Sequence, residues 1–549
     1  MHFTIIDWVI LSATLSGILL LGVSAKRSVV GTSDFLVAGR NVGLFLGAIS
    51  LLSTDSGIIT FLYFAEMGYV YGFAALIATV IPMLTFLFVG RTGFVIKAFR
   101  ELELVTISEY FQGKYGRSAR ILAGVLMVTG GALNFGVMPV LDSTFLNILT
   151  GIPRRYILWT IITLVVIVLL YTALGGMMSV VVTSYVQYSF LFLSMIIVTC
   201  YCFHTVGAGS MVSAVQSRQG EAGFNPFIHP AFGWSFIFWQ ALVWLASLTG
   251  FAPMTIRAFT SESSEMGKKI FTWTGILYLG RGAMPILWGV AALAYFGGAA
   301  AVPIEAWPTM MRNILPAGIT GLVVVGLLAG TMSVYGGNLI AWSSVITEDI
   351  IGPLARRPLS EKTRVRMNQI TILCLAAFIV WWGLFYKIPG AAYFYLYMTA
   401  NIFITGTFWI IVGGLYWKKA HKVGAYCSLL LGAGSSLAYF FVPNPDEWAG
   451  RLGFASFILS FAGMYFGSLI GTHIQWVKEK LFWLFLPPAV LAAAYFYWRW
   501  ANGYGVWLNV WIWVLVISLA SFTGLSLYAL VHGIGDLKKL LRRPEGPQS

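Results

Sequence analysis

Charge is scarce in this sequence. Only 10% of the 549 residues are Asp, Glu, Lys or Arg, whereas soluble domains carry about 25%. Hydrophobic residues supply 58% of the chain, and they recur in runs long enough to cross a lipid bilayer. This composition excludes a soluble globular protein. It predicts an all-α membrane protein with many transmembrane helices.

Cysteine is also rare, with 4 residues in the whole chain. Cys200, Cys202, Cys374 and Cys427 lie inside apolar segments and lack the spacing of a metal site or a disulfide framework. We therefore expect buried free thiols. The sequence lacks metalloprotease, phosphate-loop and nucleophile-elbow motifs, so we expect neither an enzyme nor an organic cofactor.

The net charge is +14, but the basic residues are concentrated in short loops and do not form a stripe that would bind nucleic acid. If the N-terminus lies outside the cell, the inner loops hold the great majority of the lysines and arginines. The positive-inside rule then predicts a cytoplasmic C-terminus. We expect a multi-pass protein of the plasma (inner) membrane whose partners include the lipid bilayer and exclude nucleic acid.

We predict about 15 membrane spans from the apolar runs. The ten spans after the first divide into two groups of five, and a polar interruption opens each group, at Ser53–Gly57 and at Ser247–Gly250. Paired broken helices in two halves are typical of inverted-repeat transporters with a site at the membrane midplane. The predicted regions are an extra helix in 1–41, repeats in 42–206 and 231–418, and extra helices with a tail in 419–549. The predicted spans lie near 5–24, 42–69, 72–96, 119–149, 156–174, 177–206, 231–256, 271–298, 314–348, 368–387, 391–416, 423–442, 453–472, 480–498 and 506–533.

The stretch from Tyr171 to Gln187 joins two of these spans. Its Gly175-Gly176 pair permits a tight turn between helices, and hydroxyl residues, including Thr183 and Ser184, follow on one face. These residues fit either close helix packing or a polar site inside the membrane. The stretch resembles the signature of the sodium:solute symporter family, in which a Tyr-Thr, a Gly-Gly turn and a Thr-Asp pair with Gln lie on the fifth core helix. The family's aspartate is Ser184 in this chain.

The predicted ninth span carries a second resemblance. Its sequence from Gly330 to Asp349 resembles the eighth core helix of the family, where two adjacent serine hydroxyls and backbone carbonyls coordinate sodium. The second of these serines is Val334 here, so two side-chain oxygens expected around the ion are absent. The resemblance implies a sodium site built from the carbonyls of Ser53, Ser56 and Gly330 and the hydroxyl of Ser333, with the charge of Asp55 nearby.

Two charged residues lie deep in apolar spans. Asp55, flanked by hydroxyl residues, suits a cation site, a protonatable group or a structural helix cap. Arg281 resembles the position where family members often place a lysine ahead of a proline, facing the substrate cavity. An arginine there is expected to bind an anionic or hydrogen-bonding solute, or to form a mobile or static ion pair with Asp55.

Several aromatic and polar residues are candidates for contact with a solute. The eleventh span opens with aromatic side chains where family members place gating aromatics, although an interfacial aromatic belt explains them equally well. Arg257 resembles the family's Gln-Arg and is expected to act as a cytoplasmic gate or a positive-inside anchor. The predicted substrate-binding residues are Thr60, Tyr63, Phe64, Arg281, Tyr393 and Tyr395.

The resemblance implies a secondary active transporter that moves a small polar organic solute by alternating access, with sodium as the default coupling ion. Val334 and Ser184 leave open a proton carried by Asp55, or uncoupled transport. A membrane sensor or partner protein that does not transport is an alternative of a different class. The sequence does not identify the solute.

Overall fold

The chain folds as a bundle of helices. The computed structural model describes residues 3–24, 35–36, 38–102, 107–299, 302–355, 359–388, 390–471 and 504–541. Among these residues no β-strand occurs, and Val42 and Ser261 form an isolated bridge. The all-α membrane fold predicted from the sequence is confirmed.

The helices are α1 (Ile5–Ser24), α2 (Leu44–Ser53), α3 (Ile58–Tyr71), α4 (Ile77–Thr92), α5 (Ile96–Glu101), α6 (Ile107–Tyr115), α7 (Arg117–Gly136), α8 (Met138–Thr150), α9 (Ile157–Thr205), α10 (Ala208–Gln219), α11 (Gly233–Gly250), α12 (Ala252–Thr260), α13 (Ser264–Phe296), α14 (Pro303–Ile314), α15 (Ile319–Ser344), α16 (Glu361–Phe385), α17 (Ala392–Tyr416), α18 (Lys422–Leu437), α19 (Pro445–Gly471) and α20 (Tyr504–Leu541). A π-helical segment, Val345–Ile351, extends α15.

The number of membrane spans differs from the prediction. In the described part of the chain 11 helices are long and apolar enough to cross a membrane, or up to 12 if the bent pair α11 and α12 forms one span. The count of 15 is not confirmed. By length and apolar composition alone, Ile58–Thr92 counts as one stretch of 35 residues, although Gly72 (φ 63°) ends α3 and a 3-10 turn at Gly72–Leu76 separates α3 from α4. The predicted span near 480–498 lies outside the described residues.

Both predicted interruptions are helix breaks. The first predicted repeat opens with α2 and α3, which are separated at residues 54–57. The second opens with α11 and α12, whose axes differ by 49° across the extended residue Phe251. The predicted glycine turn also exists, at Gly176 (φ 55°) inside α9. A side chain at Gly176 would collide with Phe35, so glycine is required by both conformation and space.

The central helices are much more buried than the peripheral ones. The apolar windows of α13, α15 and α17 are 94%, 89% and 89% buried, whereas those of α1 and α20 are 17% and 22% buried. Polar residues on the central helices therefore face other helices, while α1 and α20 present apolar side chains to the surroundings. Since α2 and α3 pack against α13 and α15, the first helix break lies inside the bundle.

Candidate cation and solute site

Hydroxyl side chains hold the break between α2 and α3. Thr54 Oγ1 donates to the carbonyl of Ser50 (2.7 Å), and Ser56 Oγ donates to the carbonyl of Leu52 (2.6 Å). Unwound backbone in a membrane is tolerated where other groups satisfy its hydrogen bonds. At the start of α3 this is done by α15, because Thr331 Oγ1 accepts from the amide of Ile58 (2.8 Å).

An ion pair joins the break to α13. Arg281 Nη2 lies 2.7 Å from Asp55 Oδ2 and also donates to the Asp55 carbonyl, while Nε donates to Ser56 Oγ at 3.0 Å. Tyr278 donates to the same carboxylate, and the Arg281 guanidinium lies 4.2 Å from the centroid of the Tyr278 ring. Of the interpretations that the sequence left open for Arg281, the structure therefore shows the ion pair with Asp55.

On the other side of the break, three serine hydroxyls from three helices meet. Ser333 Oγ of α15 donates to Ser53 Oγ of α2 at 3.0 Å, and it lies 2.8 Å from Ser184 Oγ of α9. All three residues are 0% exposed. We call Ser53, Ser184 and Ser333 the hydroxyl cluster. Ser184, the serine at the family's aspartate position, thus supplies an oxygen to this cluster.

The predicted cation ligands are only partly brought together. The hydroxyl cluster unites Ser53 with Ser333, and the Gly330 backbone lies against the carbonyl of Ser56, which a side chain at residue 330 would meet. The carboxylate of Asp55 is instead bonded by Arg281 and Tyr278 on α13. The oxygens between α2 and α15 are therefore neutral, and the negative charge of Asp55 is paired with Arg281.

A partly open cavity lies beside the break. Asp55 is the single charged group among the described residues that line it, and its side chain is 27% exposed. Most other lining side chains are aromatic or apolar. The lining residues are Asp55, Ile59, Thr60, Tyr63, Asn134, Met138, Trp244, Ser247, Phe251, Met254, Val334, Leu396, Tyr397 and Ala400.

Of the predicted substrate-binding residues, Thr60 and Tyr63 line this cavity, and the others lie behind its wall. Arg281 is 1% exposed. Tyr393 donates to Gln240 Oε1 (2.8 Å) and Tyr395 to the carbonyl of Leu133 (3.0 Å).

Phe64 belongs to the same wall, with its ring packed on those of Tyr63 and Tyr393 at centroid distances of 4.7 and 6.3 Å. The aromatic residue of α17 that lines the cavity is Tyr397. The sequence analysis counted Tyr397 among the aromatic residues that open the eleventh span but did not include it among the substrate-binding residues.

Two further polar residues were missed by the sequence analysis. Asn134 Nδ2, in α7, donates to the carbonyl of Leu396 (2.6 Å) and so ties α7 to α17 at the edge of the cavity. Asp142, in α8, is 0% exposed and accepts from the Tyr335 hydroxyl at 2.7 Å. A carboxyl group inside an apolar span is a signal that the sequence does contain, since such groups are rare in membranes.

Arg257 also differs from one of its predicted roles. It is 1% exposed, and its Nη1 contacts the sulfur of Met177 at 2.9 Å. An anchor at the positive inner surface would be exposed, so that alternative is wrong. The guanidinium is buried between α9, α12 and α15.

Comparison with known proteins agrees with this architecture. The family model described as "Sodium:solute symporter family" matches residues 35–432. The high-affinity proline transporter PutP of Bacillus subtilis is 24% identical over 77% of this chain and 89% of its own length. The sodium/proline symporter of Haemophilus influenzae is 24% identical over 79% of this chain and 88% of its own length.

A solved structure shares the fold. It is that of a Na+-coupled sialic acid symporter in a substrate-bound outward-open state. It superposes with a TM-score of 0.72 and 18% identity, covering 85% of this chain and 98% of that one. The family model and the helix architecture agree, and the chain belongs to the sodium:solute symporter family.

Proposed function

We propose that this transporter couples sodium, bound at the hydroxyl cluster, to uptake of a small organic solute that carries an ammonium group. The observation that carries the proposal is the placement of two sites on one helix break: the hydroxyl cluster on one side and the cavity with Asp55 on the other. An ion that orders the break also orders the cavity wall. The binding of the ion and that of the solute then raise each other's affinity.

Oxygen chemistry supports sodium at the hydroxyl cluster. Hard cations prefer carbonyl and hydroxyl oxygens, and the proposed ligands are the carbonyls of Ser53, Ser56 and Gly330 with the hydroxyl of Ser333. Ser184, bonded to Ser333, adds a further oxygen. The set is neutral, so we expect weaker sodium binding than in a site that contains a carboxylate.

The lining of the cavity supports an ammonium group on the solute. Asp55 bonds Arg281 and Tyr278 through Oδ2, but its side chain stays 27% exposed and lines the cavity together with Trp244, Tyr63 and Tyr397. Aromatic faces and a carboxylate together recognise organic ammonium ions. The two relatives are named as proline transporters, and proline carries a secondary ammonium. We also propose residence in the plasma membrane with an outside N-terminus, as the distribution of basic residues predicts.

Thermal unfolding of the purified protein tests the ion. At constant chloride, sodium is expected to raise the unfolding midpoint above its value in potassium, because a ligand of the folded state stabilises it by mass action. Ser333→Ala is expected to abolish this rise. Ser435→Ala is the matched control, since the Ser435 hydroxyl bonds only to carbonyls of α18.

The same measurement at two pH values separates the alternatives. If the unfolding midpoint does not change with sodium but changes with pH, and Asp55→Asn loses that change, the coupling ion is a proton on Asp55 and not sodium. No response to either cation would leave uncoupled transport.

Competition during uptake tests the solute class. In proteoliposomes, L-proline and choline are expected to compete for transport, whereas lactate and glucose are not. Trp244→Leu is expected to raise the apparent KM for the ammonium solute roughly two- to thirty-fold, because a lost cation–π contact costs about 0.5–2 kcal/mol. Trp381→Leu is the control, since Trp381 is 54% exposed on α16. Competition by lactate or glucose alone would contradict the ammonium assignment.

A further inference from the structure

Arg257 is a buried charge that lacks an acceptor. Its Nη1 contacts the sulfur of Met177, a weak acceptor, while Nε and Nη2 have no hydrogen-bond partner. No carboxylate in the described part of the chain lies within ion-pair distance of it. Arginine stays protonated in proteins, and an unpaired charge inside a membrane protein is costly. The arrangement therefore requires a partner that the described side chains do not supply.

The free nitrogens lie beneath the floor of the solute cavity. Met254 and Val334 line that floor. Arg257 follows Met254 on α12, and Gly337 follows Val334 on α15. Each follows by three residues and so lies about one helical turn further inward. A Cβ at Gly337 would lie 3.4 Å from Arg257 Nη2 and 3.6 Å from Thr54 Cγ2. The glycine therefore leaves room beside the guanidinium, between α2, α12 and α15.

The charge balance of this cleft is distinctive. Met177 and Ser184 are seven residues apart on α9, and Gly337 follows Ser333 by four residues on α15, so both pairs share a helix face. Arg257 and the hydroxyl cluster consequently face the same cleft, one to two helical turns apart. The family signature has an aspartate where this chain has Ser184. This chain thus places a guanidinium in the cleft without that carboxylate.

We infer that Arg257 Nε and Nη2 form a binding site for a small inorganic anion of the size of chloride. The two N–H groups supply charge-assisted hydrogen bonds, and the anion neutralises the buried guanidinium. Thr54, Met177 and Arg257 are at most 3% exposed, so the surroundings suit a monatomic anion better than a carboxylate-bearing solute. A bound anion also offsets the repulsion between Arg257 and a cation at the hydroxyl cluster. The inference goes beyond the proposed coupling and does not depend on the solute.

Anion exchange at constant sodium tests the site. The purified protein is placed in sodium gluconate, and gluconate is replaced stepwise by chloride. The unfolding midpoint is expected to rise and to saturate, and bromide is expected to act like chloride. Arg257→Met, which keeps bulk and removes the charge, is expected to lose the response. Arg154→Gln is the control, because the Arg154 side chain is 80% exposed.

A second variant keeps the test decisive if Arg257→Met fails to fold. Ser184→Asp puts a carboxylate into the same cleft and is expected to reduce the chloride response strongly. If the unmodified protein unfolds at the same midpoint in chloride and in gluconate, the inference is overturned. Water would then be the partner of Arg257. A full chloride response in Arg257→Met or in Ser184→Asp would overturn it as well.

Discussion

Asp55→Asn is expected to abolish solute uptake and to cost several kcal/mol of stability. The change removes the carboxylate that pairs with Arg281, whose side chain is 1% exposed. Removing one partner of a buried ion pair costs about 3–5 kcal/mol of stability, because the other charge stays buried without a partner. Arg281→Gln is expected to cost less, since the Asp55 side chain is 27% exposed and water in the cavity can solvate it. Thermal midpoints of the two single variants measure this asymmetry.

The double variant Asp55→Asn/Arg281→Gln separates stability from transport. It is expected to recover part of the stability lost in Asp55→Asn, because no charge is left unpaired, and to stay inactive in uptake. Lys268→Gln is the surface control, since its pair with Glu265 is 25% and 64% exposed and such pairs contribute about 0–1 kcal/mol. Equal losses in the two single variants would contradict the asymmetry.

The helix breaks could be predicted from the sequence because their cause is local. Ser53–Gly57 interrupts an apolar run with hydroxyls and a glycine, and these hydroxyls bond the carbonyls at the end of α2. The number of spans is harder to count. The turn at Gly72–Leu76 is apolar, so Ile58–Thr92 passes as one stretch by length and composition, although Gly72 ends α3 and α4 begins at Ile77.

The site was predicted less completely, because helix rotation and side-chain length decide which groups reach a cavity. The run from Tyr393 to Tyr397 covers more than one turn of α17, and Tyr397 is the one of its aromatic residues that the structure places on the cavity. Arg281 was expected on the cavity, yet its long side chain passes behind Asp55 and ends on the backbone of the break. The hydroxyl cluster unites α2, α9 and α15 across long sequence separations, which the spacing of residues does not encode.

The close approach of α3 and α13 positions the ion pair between Asp55 and Arg281, although the contact lies about two helical turns away from it. A Cβ at Gly289 would meet the carbonyl oxygen of Ala65, and a Cβ at Gly68 would meet the carbonyl oxygen of Ile286. The two backbones are in reciprocal contact, as small residues allow in membrane helices. Arg281 lies two turns before Gly289 on α13, so the same contact sets the distance between the guanidinium and the helix break.

Gly289→Ala is therefore expected to destabilise the protein by about 1–3 kcal/mol, because neither backbone can move away without disturbing the core. Uptake is expected to fall further than this loss alone requires, since separating α3 from α13 pulls Arg281 away from Asp55. Gly434→Ala is the matched control: Gly434 lies in α18 with nothing within 4 Å of an added Cβ, and alanine favours helices by about 1 kcal/mol over glycine. Midpoint and uptake rate are measured on both variants. If Gly289→Ala matched Gly434→Ala in both, the contact between α3 and α13 would not position the ion pair.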